Sequence, residues 1–135
     1  MAVFPSAVDG FLPYALFVTS TMALVHSVVT YIRPIPALTA FSGPSAPPPN
    51  ALTAHIYGVK NIYTGLIRLY AAYNIHNREL YTLAILTYAG VLFLYGGELF
   101  IWQTTRMREA FSALFIPTTM LYWMLIQKGW YLLDN

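Results

Sequence analysis

The sequence contains no cysteine among its 135 residues. That absence excludes disulfide bonds, thiolate nucleophiles, iron–sulfur clusters and cysteine-ligated zinc. Charged side chains are also scarce, at 9% of the residues, whereas soluble domains carry about 25%. The formal net charge of +2 comes from very few ionisable groups, so no basic surface indicates nucleic-acid binding.

Apolar side chains dominate the sequence instead. Hydrophobic residues make up 58% of the chain and aromatic residues 16%. A soluble domain of this size buries only about 60–70% of its unfolded surface, which is too little to hide so much apolar area. The composition therefore predicts an all-α membrane protein, a four-transmembrane-helix bundle that forms one domain over residues 1–135.

Four segments are long and apolar enough to cross a hydrocarbon core of roughly 30 Å, which takes about 20 helical residues. The first does not resemble a cleavable signal peptide, because no lysine or arginine precedes it and no small-residue cleavage site follows. A connector at residues 33–50 holds six of the nine prolines, which predicts an irregular or extended loop. The predicted spans are residues 12–32, 51–73, 80–102 and 110–127.

The second predicted span carries a stripe of small and polar residues on one helical face. Positions that alternate four and three apart form such a face. Small residues let helices approach closely in lipid, and carboxamides hydrogen-bond across the contact. We therefore predict a packing seam, with Tyr63 and Tyr70 on the opposite face. The seam residues are Ala54, Gly58, Asn61, Gly65, Arg68 and Ala72.

Similar stripes on the first and third predicted spans favour a compact bundle over four independent anchors. His26, on the first stripe, is interpreted as a hydrogen-bonded packing residue rather than a metal ligand. The first stripe is Thr19, Ala23, His26 and Thr30, and the third-span stripe is Thr87, Gly90, Leu94, Gly97 and Ile101.

Lys60 and Arg68 are cations inside the second predicted span, and their expected environments differ. Helical side chains lean toward the N-terminus of their helix, which takes Lys60 toward its nearer membrane surface. Arg68 leans away from its nearer surface, so we predict a buried structural role with Glu79 or helix-end carbonyls as partners. A direct ligand contact is the alternative for Arg68, because charged groups within a membrane often mark functional sites.

Glu98 is the only acidic residue well inside a predicted span. If the second and third spans are antiparallel, Glu98 lies near the level of His55 and Lys60. A contact with either would lower the desolvation cost of both partners. The functional alternative is a proton or cation site.

No known catalytic motif is present in the sequence. GxSxG, Walker A and HExxH patterns are missing, and the YGGE segment lacks the GxGxxG pattern of dinucleotide sites. The three histidines, His26, His55 and His76, do not have the close spacing used by membrane di-iron oxidases. We therefore predict no catalytic, cofactor-binding or metal-binding residues.

Three segments together resemble the ergosterol biosynthetic protein 28 family, over roughly residues 12–130. The family pattern is matched at Gly58, Arg68 and Glu98, although His55 stands where the family tends to have arginine and Lys60 is an additional cation. The segments are LTAHIYGVKNIYTGLIRLYAAYNIHNRELYTL at residues 52–83, GGELFIWQT at residues 96–104 and TTMLYWM at residues 118–124.

The resemblance implies a non-enzymatic, multi-pass scaffold of the endoplasmic reticulum membrane without a cofactor. Its implied partners are the sterol C4-methyl oxidase, the sterol-4α-carboxylate 3-dehydrogenase (decarboxylating) and the 3-keto-sterol reductase. The bilayer, a sterol and a second copy of the chain are further candidate partners. Two alternatives stay open: a sterol-binding or transfer protein with a pocket between its helices, and a sterol-modifying enzyme that uses Glu98 with a histidine.

Overall fold

The computed structural model describes Pro5 and residues 10–132, and every regular element in this part of the chain is helical. Four helices are long and two contain a single turn. In chain order they are α1 (Leu12–Ile32), α2 (Pro34–Ala37), α3 (Ala51–Tyr73), α4 (Arg78–Phe100), α5 (Met107–Ile126) and α6 (Lys128–Tyr131).

Three of the long helices, α1, α4 and α5, are long and apolar enough to cross a membrane. Helix α3 has 23 residues, as many as α4, but its polar residues keep it out of this group. The described part of the chain is therefore that of a helical membrane protein with three candidate spans, whereas four were predicted.

Two asparagines define the starts of α3 and α4. The side-chain oxygen of Asn50 accepts a hydrogen bond from the Thr53 amide at 2.9 Å, and that of Asn77 accepts one from the Leu80 amide at 2.9 Å. Such caps satisfy backbone donors that the first turn of a helix leaves free. Because Asn77 is the cap, α4 begins at Arg78, two residues before the predicted start.

The proline-rich connector is more ordered than an irregular loop. It contains the short helix α2 and then folds onto the loop between α4 and α5. The Gly43 amide donates to the Thr104 carbonyl at 2.9 Å, and the Ser45 amide donates to the Gln103 carbonyl at 3.0 Å. The Thr105 hydroxyl also donates to the Ala40 carbonyl. The connector and the α4–α5 loop therefore form one unit at the same end of the bundle.

The long helices pack as two pairs joined through α3 and α4. Helix α1 packs mainly on α3, and α4 packs mainly on α5. An apolar core fills the end of the bundle opposite to the connector, and between this core and the connector the bundle contains polar side chains. The core residues are Leu12, Leu16, Ala71, Ala72, Ile75, Tyr81, Ala84, Tyr88, Met120, Met124, Tyr131 and Leu132.

Candidate functional site

The small and polar face of α3 is covered by α1. All six residues of the predicted seam are buried, whereas Tyr63 and Tyr70 on the opposite face are 64% and 59% exposed. A Cβ atom added at Gly65 would lie 2.7 Å from Leu24 Cγ, and one added at Gly58 would collide with the Thr30 hydroxyl. Glycine at these positions therefore allows the two helices to approach each other closely.

Asn61 lies at the centre of this contact and forms hydrogen bonds with two polar side chains. Its Nδ2 donates to Nδ1 of His26 at 3.0 Å, and its Oδ1 accepts a hydrogen bond from Lys60 Nζ at 3.1 Å. Lys60 Nζ also lies 4.6 Å from the centre of the Tyr57 ring. Lys60 leans toward the N-terminus of α3, as expected, but its ammonium is held by protein groups inside the bundle.

Arg68 is 7% exposed and contacts α4. Its Nε donates to Thr87 Oγ1 at 3.0 Å, and its guanidinium carbon lies 4.0 Å from the centre of the Tyr88 ring. The Tyr88 hydroxyl is in turn hydrogen-bonded to Thr19 Oγ1 of α1 at 2.5 Å. The Arg68 side chain therefore connects α3 to α4, and Tyr88 extends the connection to α1.

The partners predicted for Arg68, Glu79 or helix-end carbonyls, were wrong. The Arg68 side chain leans toward the N-terminus of α3. Because α3 and α4 run antiparallel, that direction leads to the middle of α4, where Thr87 and Tyr88 lie, and away from the first turn, which holds Glu79.

Glu98 does not pair with a cation, so the predicted contact with His55 or Lys60 was wrong. Its Oε1 accepts a hydrogen bond from the Thr104 hydroxyl at 2.5 Å. The chain after α4 turns back, with the Thr104 amide donating to the Glu98 carbonyl at 2.8 Å, and this turn places the hydroxyl on the carboxylate. The ion pair between described residues joins Arg108 and Glu109, at 4.0 Å.

His55 contacts α1 rather than α4. Its ring stacks on Tyr31, with 4.2 Å between ring centres and 1° between ring planes. His26 is bound by Asn61. The structure therefore assembles no acid–base pair of Glu98 with either histidine, the arrangement that the enzyme alternative required.

The glycines of the stripe predicted on the third span do not lie at a contact with another long helix, although Thr87 of the same stripe binds Arg68. A Cβ atom at Gly90 would meet nothing within 4 Å, and one at Gly97 would meet the ring of Trp102, which follows α4 itself. Tyrosines occupy the packed face instead, because their large rings fill the space beside α3 and α5. The buried residues of α4 are Tyr81, Ala84, Tyr88 and Tyr95.

The sequence does contain a signal for this tyrosine face. Tyr81, Tyr88 and Tyr95 recur every seven residues, a spacing that keeps side chains on one side of a helix. This tyrosine repeat is separate from the stripe of small residues that was used to predict the packed face. The Tyr95 hydroxyl is hydrogen-bonded to that of Tyr57 at 2.7 Å, so the face contributes polar contacts as well as apolar area.

Two openings adjoin these polar residues. A cleft of about 380 Å³ lies under the connector and is walled mostly by apolar atoms, with Lys60, Glu98 and Thr104 at its edge. A second cavity of about 310 Å³ lies between α1, α3, α4 and α5. We call it the interhelical cavity. Its lining includes His26, Tyr57, Lys60, Asn61, Arg68 and Tyr88.

Within Pro5 and residues 10–132, no group of three or more histidine, aspartate or glutamate side chains is placed to hold a metal ion. The side chains around the interhelical cavity can donate hydrogen bonds, because arginine, lysine, asparagine and tyrosine all carry donors. The arginine and the lysine also present positive charge.

Residues 12–122 match the protein family described as Erg28 like protein. Among similar proteins, the ergosterol biosynthetic protein 28 of Saccharomyces cerevisiae is 27% identical over 123 residues, covering 90% of this chain and 83% of that protein. The protein of the same name from Candida albicans is 27% identical over 132 residues, covering 96% and 94%. That of Gibberella zeae is 32% identical over 85 residues, covering 62% and 50%. No solved structure matches the chain.

Proposed function

Because the chain belongs to the Erg28 like protein family, we propose that it acts in ergosterol biosynthesis, the process in the names of its relatives. Its role in this proposal is that of a non-catalytic scaffold in the endoplasmic reticulum membrane. It tethers the sterol C4-methyl oxidase, the sterol-4α-carboxylate 3-dehydrogenase (decarboxylating) and the 3-keto-sterol reductase. A scaffold that holds sequential enzymes together raises the effective concentration of each for the others without new chemistry.

The observation that carries the non-catalytic part of the proposal is the separation of Glu98 from His26 and His55. A general acid or base must lie within hydrogen-bond reach of its partner or substrate proton. Glu98 is bound by Thr104, whereas His26 is bound by Asn61 and His55 stacks on Tyr31.

The proposed docking surface for the enzymes is the unit formed by the connector and the α4–α5 loop. Backbone hydrogen bonds hold the two segments together, so a partner meets a surface that is already ordered and loses less conformational entropy on binding. Arg33 and Arg106 are exposed on this unit, and Arg108 is exposed in the adjoining first turn of α5. By the positive-inside rule, this excess of arginine favours the cytosolic side for the unit.

We further propose that α3 is the fourth span. Its polar face is covered by α1 and α4, and its uncovered face is apolar. Ile56, Ile62, Tyr63, Leu66 and Tyr70 are all exposed in the bundle. Lipid would therefore meet hydrocarbon and aromatic side chains, because the polar residues of the helix lie on its covered face.

The proposed function is tested by affinity purification of the tagged full chain in mild detergent, followed by mass spectrometry. We expect the three sterol enzymes to co-purify with the wild type, and less with Arg106→Glu combined with Arg108→Glu. Arg78→Glu is the matched control, because Arg78 is an exposed cation at the opposite end of α4. A second, differently tagged copy of the chain tests for self-association.

Two results would contradict the scaffold proposal. One is the failure of all three enzymes to co-purify under conditions in which the chain remains folded. The other is turnover of a C4-methylated sterol by the purified chain alone, which would favour a sterol-modifying enzyme.

A further inference from the structure

The interhelical cavity carries positive charge that its own walls do not balance. Lys60 and Arg68 both line it, and no aspartate or glutamate is among the described residues of its lining. Glu98 lines the cleft under the connector, which Lys60 also lines, but its carboxylate is bound by Thr104. Uncompensated cations inside a membrane bundle are costly unless an anion is close by.

Arg68 retains unused hydrogen-bond donors. A guanidinium has five N–H groups, and one of them, on Nε, donates to Thr87. Between the described residues, no hydrogen bond is made by the two terminal nitrogens of Arg68, although the side chain is 7% exposed. The guanidinium carbon lies over the Tyr88 ring, and this contact together with the hydrogen bond to Thr87 holds the guanidinium in place. The terminal nitrogens form the planar fork of a guanidinium, which suits carboxylate or phosphate oxygens.

Part of the cavity wall is apolar, and the lining extends to the outside of the bundle. Ala23, Val91, Ala113 and Ile116 are part of the lining. Met22 on α1 and Ser112 on α5 also line the cavity and are exposed. The cavity therefore opens between α1 and α5. Its volume of about 310 Å³ lies at the lower end of the range for ligand pockets, about 300–1,000 Å³.

We propose that the interhelical cavity binds the acid group of an amphipathic lipid. The carboxylate or phosphate lies on Arg68, with Lys60 as a second cation on the same cavity, and the apolar body of the lipid passes outward between α1 and α5. Both acid groups share the chemistry that the Arg68 fork recognises. The proposal concerns the isolated chain and does not depend on the tethering of other proteins.

The test uses the full chain in phosphatidylcholine nanodiscs, with ligand binding followed by native mass spectrometry and by the shift in unfolding temperature. Cholesteryl hemisuccinate is compared with cholesterol, and phosphatidic acid with diacylglycerol. We expect the acid of at least one pair to bind and to raise the unfolding temperature, and its neutral match to do neither. The pair that responds identifies a carboxylate or a phosphate as the source of the anion. Inorganic phosphate alone is expected to bind more weakly than the acidic lipid.

Substitutions in the chain test whether the acidic lipid binds in the interhelical cavity. Arg68→Gln is expected to weaken the acidic lipid roughly 10-fold or more, as for a lost hydrogen bond to a charged group, and Arg68→Lys to weaken it less. Arg78→Gln, which removes an exposed cation outside the cavity, is expected to leave binding unchanged. Because Arg68→Gln removes a buried side chain, Ala113→Leu serves as a second variant that keeps both cations and fills part of the cavity.

Three results would overturn the proposal: equal binding of the acid and its neutral match in both pairs, binding unchanged in a folded Arg68→Gln or Ala113→Leu protein, or inorganic phosphate binding as tightly as the acidic lipid. The enzymes of the tethering proposal are not in the assay. A negative lipid-binding result would therefore not contradict the tethering proposal. A failed co-purification would likewise not contradict the lipid-binding proposal.

Discussion

Gly58 faces α1 at a point where no side chain can be added without displacing Thr30. The Thr30 hydroxyl is itself buried and donates to the Ser27 carbonyl at 2.6 Å. We therefore expect Gly58→Ala to lower the free energy of unfolding by about 1–3 kcal/mol, the usual cost of overpacking a filled core. The measurement is thermal or denaturant unfolding of the purified chain in detergent.

The matched control for this substitution is Gly90→Ala. Gly90 is also inside a long helix, but an added Cβ would meet nothing within 4 Å. Helix propensity then favours alanine by up to about 1 kcal/mol. Equal changes in the free energy of unfolding for the two substitutions would show that the contact with Thr30 does not decide the effect.

Glu98 and Thr104 are expected to be energetically coupled. In a double-mutant cycle on the free energy of unfolding, Glu98→Gln and Thr104→Val should show an interaction of about 0.5–3 kcal/mol, because the two side chains share a hydrogen bond. Glu98→Gln and Lys60→Met should be additive within about 0.3–0.5 kcal/mol, as for residues without a shared contact. Strong coupling of Glu98 to Lys60, with none to Thr104, would support the Glu98–Lys60 ion pair that the sequence suggested.

At the scale of single residues, the sequence predicts burial better than partners. The spacing of Gly58, Gly65 and Arg68 is a local property, so the sequence alone predicts that they share one face of α3. The partner of Arg68 depends on how far α4 slides along α3, and the partner of Glu98 depends on a turn after α4. Neither quantity is encoded within a single helix.

Whether α3 crosses the membrane decides the topology of the bundle. Because the sequence has no native cysteine, single cysteines can be introduced on either side of α3 to test this. We expect Ser45→Cys and Asn74→Cys to react with an impermeant thiol reagent from opposite sides of sealed membranes, because they flank α3. Gln103→Cys should react from the same side as Ser45→Cys, since the Ser45 amide donates to the Gln103 carbonyl. Labelling of Ser45→Cys and Asn74→Cys from one side would exclude a spanning α3.

The helices themselves were more predictable than the connector. Helices α1 and α3 occupy the residues predicted for the first two spans, and Asn50 and Asn77 cap α3 and α4. Caps and apolar length are local signals. The connector depends on hydrogen bonds between residues about sixty apart in the chain, such as Gly43 and Thr104. Composition identified it as a loop but carried no information about this distant contact.

For the whole molecule, the connector is expected to matter for assembly rather than for helix formation. Replacing residues 38–49 with a glycine–serine segment of equal length removes the contacts to the α4–α5 loop. Helical content measured by circular dichroism should be unchanged, because the replaced residues lie outside the long helices. Co-purification of the sterol enzymes should fall.

The control for this replacement is Ser42→Ala, which removes an exposed and long hydrogen bond to Glu109 at 3.4 Å. It should leave co-purification unchanged. Undiminished recovery of the enzymes with the glycine–serine connector would place their docking surface elsewhere on the bundle.

The contacts of Arg68 also bear on the order in which the chain is built into a membrane. Helix α1 is synthesised before α3, so the cover for Gly58 and Gly65 is already present when α3 emerges. Thr87 and Tyr88, which bind Arg68, are synthesised only after α3 is complete. We therefore expect α3 to remain beside the insertion machinery until α4 follows, so that the two enter the bilayer together as a helical hairpin.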